Sequence, residues 1–355
     1  MTTADALLKT RSQSNTHFSK PVFDQQIDQF SNDALENFKQ VTRQYALFHI
    51  TFFSIAVLEL IAFILFFSFL TKTTIFAFSL AGVLLTGFAY FVLLFYLQAK
   101  KPNQFQEVRT RFLENSCSIL SFEKNTPEYH LALAAALEHL LLTLHRQEYT
   151  YYSLPPSYKT LSPLMQKFSV WTHWKDLYQM KELLLLMIIT EQIERIKLQP
   201  THLEAHAHLA ASYLTLSKLY LDPRKLYPEE EHPWVSPDYA TLEMLEKFKR
   251  ASRRAIEEYK ILDTYVPNDP WVHAQLATIY RNLDLFQEEM REYETILKVS
   301  PNDPEVLFRL GVLYFKHGLS AQGLKLYEQL KKNSDVKADA LIASYDAALN
   351  DEYLN

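Results

Sequence analysis

Two long apolar segments dominate the sequence: ALFHITFFSIAVLELIAFILFFSFL at residues 46–70 and IFAFSLAGVLLTGFAYFVLLFYL at residues 75–97. A helix needs about 20 apolar residues to cross the hydrocarbon core of a bilayer, so each segment is long enough. Only residues 71–74 separate them, which leaves room for a tight turn and predicts an antiparallel hairpin. We expect a membrane anchor, because a pair of buried core helices rarely has two adjacent segments of this purity. The anchor should be uncleaved, because residues 1–20 lack the short apolar run of a signal peptide.

Basic residues flank the hairpin asymmetrically. The turn contains only Lys72, whereas basic side chains lie before the first segment and after the second: Lys39, Arg43, Lys100, Lys101, Arg109 and Arg111. Cytoplasmic loops of membrane proteins carry an excess of lysine and arginine. The pattern therefore predicts an integral membrane protein with two spans and with both termini on the cytoplasmic side.

The first segment contains one carboxylate, Glu59, near its middle. A charge at this depth is costly and invites a functional hypothesis, such as binding a partner helix or carrying a proton. We favour a structural interpretation, in which a neutral Glu59 is hydrogen-bonded within the hairpin or a homo-oligomer, because no second acid or base accompanies it at that depth. In the second segment, Gly82 and Gly87 would permit close helix contact.

The composition predicts an all-α fold. The 355 residues include only 5 glycines, and glycine is the residue that sheet turns and phosphate-binding loops require.

We expect a polar, disordered leader at 1–21, followed by a helical stem at 22–122. The apolar residues of the stem recur at helical spacing on both sides of the hairpin. These stripes either pack against each other or lie in the membrane interface. The stripe residues are Phe23, Ile27, Phe30, Ala34, Phe38, Val41, Tyr45, Phe105, Val108, Phe112, Ser116 and Ile119.

The C-terminal part repeats with a period of 34 residues. Pro-Asn-Asp-Pro occurs at 267–270 and again at 301–304. In this register, Leu-Ala at 276–277 matches Leu-Gly at 310–311, and aromatic residues align at 280 with 314 and at 293 with 327. This pattern resembles the tetratricopeptide repeat family, which implies a solenoid of paired helices. Glu289 stands where that family has a small residue, which suggests looser packing in its unit.

Earlier units are more divergent, and we assign the solenoid to 123–335. One unit begins at Pro200 and closes at Pro267, with an insertion near 221–239. Another places its helices at 127–147 and 178–199, with an insertion near 151–175. The aromatic residues of both insertions either form an interface or fold back onto the helices. Residues 336–355 are expected to form a capping helix and tail.

The resemblance also implies a protein or peptide partner in the concave groove. Groove positions of the first helices correspond to Trp271, Ala274, Thr278, Arg281, Glu305, Phe308, Val312 and Phe315. Among the residues with which some family members grip a C-terminal carboxylate, only Arg309 is matched, and Glu305 replaces a lysine. That clamp is therefore disfavoured, and Phe308, Val312 and Phe315 offer an apolar surface instead. The capping helix is an alternative occupant of this surface.

No motif for catalysis is present in the sequence, so we expect no enzyme, no cofactor and no metal ion. His202 and His206 share a helix face, but Glu204 is not placed as in a zinc metalloprotease helix. Cys117 is the only cysteine, and the net charge of −5 gives no indication of nucleic-acid binding. Protein and membrane lipid are the expected partners.

Three functions remain in competition. The first is a membrane-anchored adaptor or scaffold that holds a partner protein at the membrane. The hairpin behind a Ser/Thr-rich leader also resembles the bilobed hydrophobic element of chlamydial inclusion membrane proteins, which implies a secreted bacterial effector in a host-derived membrane. The third is a small oligomeric transporter or enzyme subunit that uses Glu59.

Overall fold

The computed structural model describes residues 20–67, 75–120, 122–149, 151–152, 162–228, 230, 232, 234–332 and 335–354. These residues form twelve α-helices and no strand, so the fold is all-α. Most of the predicted leader, the predicted turn and the middle of the first predicted insertion lie outside this part. The helices are α1 Lys20–Leu65, α2 Ile75–Ile119, α3 Pro127–Thr143, α4 Ser162–Leu198, α5 Leu203–Tyr220, α6 Pro223–Leu226, α7 Leu242–Tyr265, α8 Pro270–Asn282, α9 Phe286–Val299, α10 Pro304–Lys316, α11 Ser320–Lys331 and α12 Asp335–Leu354.

Contacts divide the chain into two compact units, and the boundary falls within α4, between Glu191 and Gln192. The first unit contains α1, α2, α3 and the first part of α4, together with His232–Ser236. The second contains the end of α4 and the helices from α5 to α12.

In the first unit, each predicted span continues into its flanking stripe as one long helix. Helix α1 has 46 residues and α2 has 45. Below the hairpin the stripes pack together, since the rings of Phe38 and Phe105 lie 5.1 Å apart and both are buried. Helix α3 covers the other side of α1, where Ser31 Oγ lies 3.1 Å from His139 Nδ1. The stripes therefore form a helical stem rather than a surface for the membrane interface.

Helix α4 begins at Ser162, well before the start at 178 that the sequence suggested. Val170, His173 and Leu177 are buried at three- and four-residue steps, so this part of the predicted insertion has a helical core face. From the sequence, this part of the chain was assigned to an insertion rich in aromatic side chains, and the helical periodicity was not recognised. Among its described residues, the second predicted insertion contains α6 and a short 3-10 turn at Pro237–Ala240.

The second unit consists largely of paired helices that repeat. Helices α8 and α10 begin 34 residues apart, and so do α9 and α11. Asp269 and Asp303 cap α8 and α10 by accepting backbone N–H bonds, with proline in the first turn. Asn268 adopts a left-handed φ of 73° just before α8, which asparagine tolerates better than most residues.

Helix α12 closes the repeat against α10 and α11. Ala338 and Leu341 are buried with Leu307, Phe315 and Leu330 in one cluster. Gly311 is required at this crossing, because a Cβ there would lie 2.7 Å from the side chain of Leu341. The Leu-Gly pair of this repeat therefore has a direct packing reason.

Candidate functional site

The hairpin leaves most of its large apolar side chains exposed. The most apolar 18-residue window of each long helix contains no buried residue, although its mean hydropathy is 2.2. Phe53, Phe78 and Leu84 are 66–79% exposed. A core helix of a soluble protein would be mostly buried, whereas these two helices are exposed and are long and apolar enough to cross a membrane. Length, hydropathy and exposure together are what a bilayer-spanning pair requires.

Polar side chains of the hairpin meet across the two helices. Thr86 Oγ1 donates a hydrogen bond of 2.7 Å to Glu59 Oε1, and His49 Nδ1 lies 3.1 Å from Tyr90 Oη. Glu59 is therefore hydrogen-bonded within the hairpin. This bond provides one of the partners that a carboxyl group in an apolar segment needs. The expected close contact at the glycines is absent, because a Cβ at Gly82 or Gly87 would meet nothing within 4 Å.

At the base of the hairpin, a charge pair joins the stem to α4. Lys101 Nζ forms an ion pair with Asp176, whose side chain is only 6% exposed. Burial raises the pKa of Asp176, and the Lys101 ammonium opposes this shift. Lys101 also lies 4.7 Å from the centre of the Tyr45 ring, which favours the cation. Sequence reasoning assigned Lys101 only to membrane orientation and did not single out Asp176.

A buried aromatic cluster lies beside this pair. Tyr151 and His173 stack with ring centres 4.0 Å apart, His173 Nε2 lies 3.0 Å from Tyr152 Oη, and Tyr151 also hydrogen-bonds Thr42. Burial, together with the nearby Lys101 and Arg43 cations, lowers the pKa of His173 to about 4. His173 is therefore neutral at pH 7 and holds the end of the first insertion on the stem.

Histidine–glutamate pairs join two helices at three places in the described part of the chain, one in the first compact unit and two in the second. In the first unit, His130 Nδ1 on α3 lies 2.7 Å from Glu191 on α4. In the second unit, His206 pairs with Glu258 at 2.7 Å, and His273 pairs with Glu292 at 2.6 Å.

The position of these pairs is regular in the sequence. His206 and His273 each lie six residues after the proline that opens their units, and His130 and His273 each lie three residues after the first proline of their helices. Burial lowers the pKa of His206, but the Glu258 carboxylate and a backbone carbonyl outweigh it and raise this pKa above 6.5. His202 and His206 were discussed above only as possible metal ligands, and His130 and His273 were not singled out, although the regular spacing is visible in the sequence.

Metal binding gains no support from the structure. No group of three or more His, Cys, Asp or Glu side chains within the described ranges is arranged to hold a metal ion. His208 lies 3.5 Å from Glu204 on the same helix, while His206 turns toward Glu258.

The predicted groove residues of α8 differ in what they contact. Trp271 is 37% exposed and packs edge-on against the Tyr259 ring, 5.8 Å away. Thr278 is half-buried and donates to the carbonyl of Ala274 at 2.9 Å. Arg281 points toward α9, where its Nε donates a 2.8 Å bond to Glu289.

Glu289 is buried at the position where the repeat pattern has a small residue. Burial raises its pKa, and the Arg281 guanidinium opposes this shift. Arg281 also contacts Tyr293 Oη. The ion pair therefore replaces the small-residue contact at this crossing, which the sequence alone described as looser packing.

The predicted groove residues of α10 are partly covered by α12. Phe315 is buried with its ring 4.7 Å from that of Tyr345, and Phe308 and Val312 are half-buried against the same cluster. Arg309 is exposed and pairs with Glu305 at 2.9 Å. Among the predicted groove residues of α8 and α10, the exposed ones are therefore Trp271, Glu305 and Arg309 rather than the phenylalanines.

Comparisons with known proteins leave the family open. No protein family and no curated protein matches the chain. A solved structure described as a MamA RS-1 ArsTM double mutant is similar over 70% of this chain and 97% of that one, with 12% identity and a TM-score of 0.30. Similarity at this level carries no argument about function.

Proposed function

We propose that the protein is a membrane-anchored helical-repeat scaffold that binds a protein partner and holds it at the membrane. The observation that carries the proposal is the exposure of the hairpin. Its apolar windows have no buried residue, and water would be an unfavourable environment for so large a contiguous apolar surface. In this proposal the hairpin spans the bilayer twice, both termini are cytoplasmic, and the role requires no catalytic residue.

The repeats supply the partner surface in this proposal. Their 34-residue spacing and the Leu-Ala and Leu-Gly pairs support tetratricopeptide-type units. Trp271 and Arg309 are accessible, and tryptophan and arginine are enriched among the residues that dominate binding energy at interfaces. Phe308, Val312 and Phe315 contribute mainly through packing with α12.

The test uses the full-length tagged protein in its native membrane. Washing the membranes at alkaline pH should leave the protein in the pellet, because a two-span hairpin is released only by detergent. A partner captured from detergent extracts should be reduced at least about tenfold by Trp271→Ala with Arg309→Ala, the factor that about 1.4 kcal/mol of lost binding energy produces.

The matched control is Tyr265→Ala. Tyr265 is 60% exposed but lies at the end of α7, outside the predicted groove positions and both insertions, so its loss should leave partner capture unchanged. Circular dichroism should show equal helix content in both variants. Release of the protein by alkaline washing, or equal partner capture by the groove variant and the control, would contradict the proposal.

A further inference from the structure

A cleft of about 520 Å³ lies on α1 where the helix leaves the predicted span. Leu47 and Ile50 line its upper part and belong to the apolar segment. Below them lie Arg43 and Gln44, and the phenol ring of Tyr152 borders the cleft from the first insertion. The cleft therefore combines an apolar half with a polar, cationic half.

Arg43 is exposed and has no compensating carboxylate. It forms no ion pair and no hydrogen bond with any residue that the structure describes. Glu36, the acid that lines the cleft, lies seven residues away, about 10 Å along the helix. Glu36 is also paired with Lys39 at 3.4 Å. In the sequence, residues 153–161, which follow Tyr152, include no acid.

The spacing along α1 matches an amphiphilic anion. Leu47 and Ile50 lie about 6 and 10 Å from Arg43 toward the predicted bilayer centre. A headgroup phosphate beside Arg43 would be able to accept hydrogen bonds from the guanidinium and from the amide groups of Gln40 and Gln44. The acyl chain would then continue along Leu47 and Ile50. A free anion would use only the lower half of the cleft.

We infer that this cleft binds the headgroup of one anionic phospholipid, with Arg43 as its cationic partner. The inference rests on the proposed membrane anchoring and adds a lipid preference to it. Anionic lipids attract basic side chains next to membrane spans by about 1 kcal/mol per charge. One such contact changes the binding constant about fivefold.

The experiment uses the full-length protein in a non-ionic detergent after lipid removal. Equal amounts of dioleoyl phosphatidylglycerol and dioleoyl phosphatidylcholine are added, and native mass spectrometry counts the bound lipids. We expect one phosphatidylglycerol to be retained in preference to phosphatidylcholine. Arg43→Gln should lower this preference about fivefold, and Arg43→Lys should keep most of it. Gln44→Glu should also lower the preference for phosphatidylglycerol, because the new carboxylate would lie next to Arg43 and repel an anionic headgroup.

Lys100→Gln is the matched control. Lys100 is also exposed, forms no ion pair in the described part of the chain, and lies at a similar depth on α2 outside the cleft. The depth follows from the hydrogen bond of Tyr45 Oη to the Leu97 carbonyl. This variant should change the preference less than twofold. Circular dichroism should show that all variants keep the wild-type helix content.

Three outcomes would overturn the inference: no preference for phosphatidylglycerol, an equal loss in the Lys100 variant, or displacement of the lipid by equimolar inorganic phosphate. The last result would identify a free anion as the ligand. Alkaline washing of native membranes tests the anchor separately. A protein that stays in the washed membrane but shows no lipid preference contradicts this inference alone, whereas a protein that washes off contradicts the proposed function.

Discussion

At the scale of single residues, buried charged or titratable side chains have specific partners. Glu289 has Arg281, Asp176 has Lys101, and His173 has the hydroxyl of Tyr152. Removing one member of a buried ion pair costs more than the pair contributes, because an uncompensated charge remains. The consequences of single substitutions follow from these partners.

Arg281→Met should destabilise the repeat unit by about 3 kcal/mol, because Glu289 then stays buried without its cation. Urea unfolding of the detergent-solubilised protein, followed by tryptophan fluorescence, measures the change. Arg281→Met combined with Glu289→Ala should recover most of the loss, since alanine suits this helix crossing. A single variant as stable as the wild type would show that the pair contributes little.

Stability should fall as the pH decreases from 6.5 to 4 because of His173. Its pKa in the folded protein is about 4 against 6.5 for an ordinary histidine, so the unfolded chain binds the extra proton first. The loss is at most about 3 kcal/mol. His173→Phe keeps the ring stacked on Tyr151 and should flatten the dependence of urea midpoint on pH. An unchanged slope in this variant would assign the pH dependence to other groups.

At the scale of elements, the two stem helices and α4 act together. Helices α1 and α2 pack through their stripes below the hairpin, and α4 is attached there by the Lys101–Asp176 pair and by Tyr151 on His173. The final helix α12 has a comparable role in the repeats, where it buries Leu307 and Phe315.

Asp176→Asn should loosen α4 from the stem, because Lys101 loses its buried counter-ion. Amide hydrogen exchange around Asp176 should become at least about tenfold faster, while α8 and α9 keep their protection. Asp176→Asn combined with Lys101→Met should restore slow exchange. Equal exchange in the single variant and the wild type would show that aromatic packing alone attaches α4.

At the scale of the whole molecule, the proposed topology places the turn of the hairpin on one side of the membrane. The two spans cross the bilayer, and both termini lie on the other side. Flanking basic residues support this orientation through the positive-inside rule. Cys117 is the only cysteine in the chain, which makes the orientation straightforward to test by labelling.

Two variants each carry one cysteine: Lys72→Cys with Cys117→Ser, and Gln106→Cys with Cys117→Ser. They should react differently with a membrane-impermeant maleimide. The turn position should react in intact cells, and the position on α2 should react only after permeabilisation, because the positive-inside rule places it in the cytoplasm and the reagent does not cross the bilayer. Labelling after solubilisation controls for intrinsic reactivity. Reaction of both positions in intact cells would refute the two-span topology.

The sequence by itself determined the all-helical class, the hairpin and the 34-residue spacing, because length, hydropathy and helical periodicity are local properties. It also predicts Trp271 and Arg309 as groove residues, and both side chains are exposed in the structure. Only the tertiary structure revealed that α4 begins at Ser162, that Asp176 meets Lys101 and that α12 covers Phe315. These features depend on contacts between residues far apart in the chain, which no local pattern records. The cleft on α1 also depends on such a contact, because Tyr152 borders it beside Arg43.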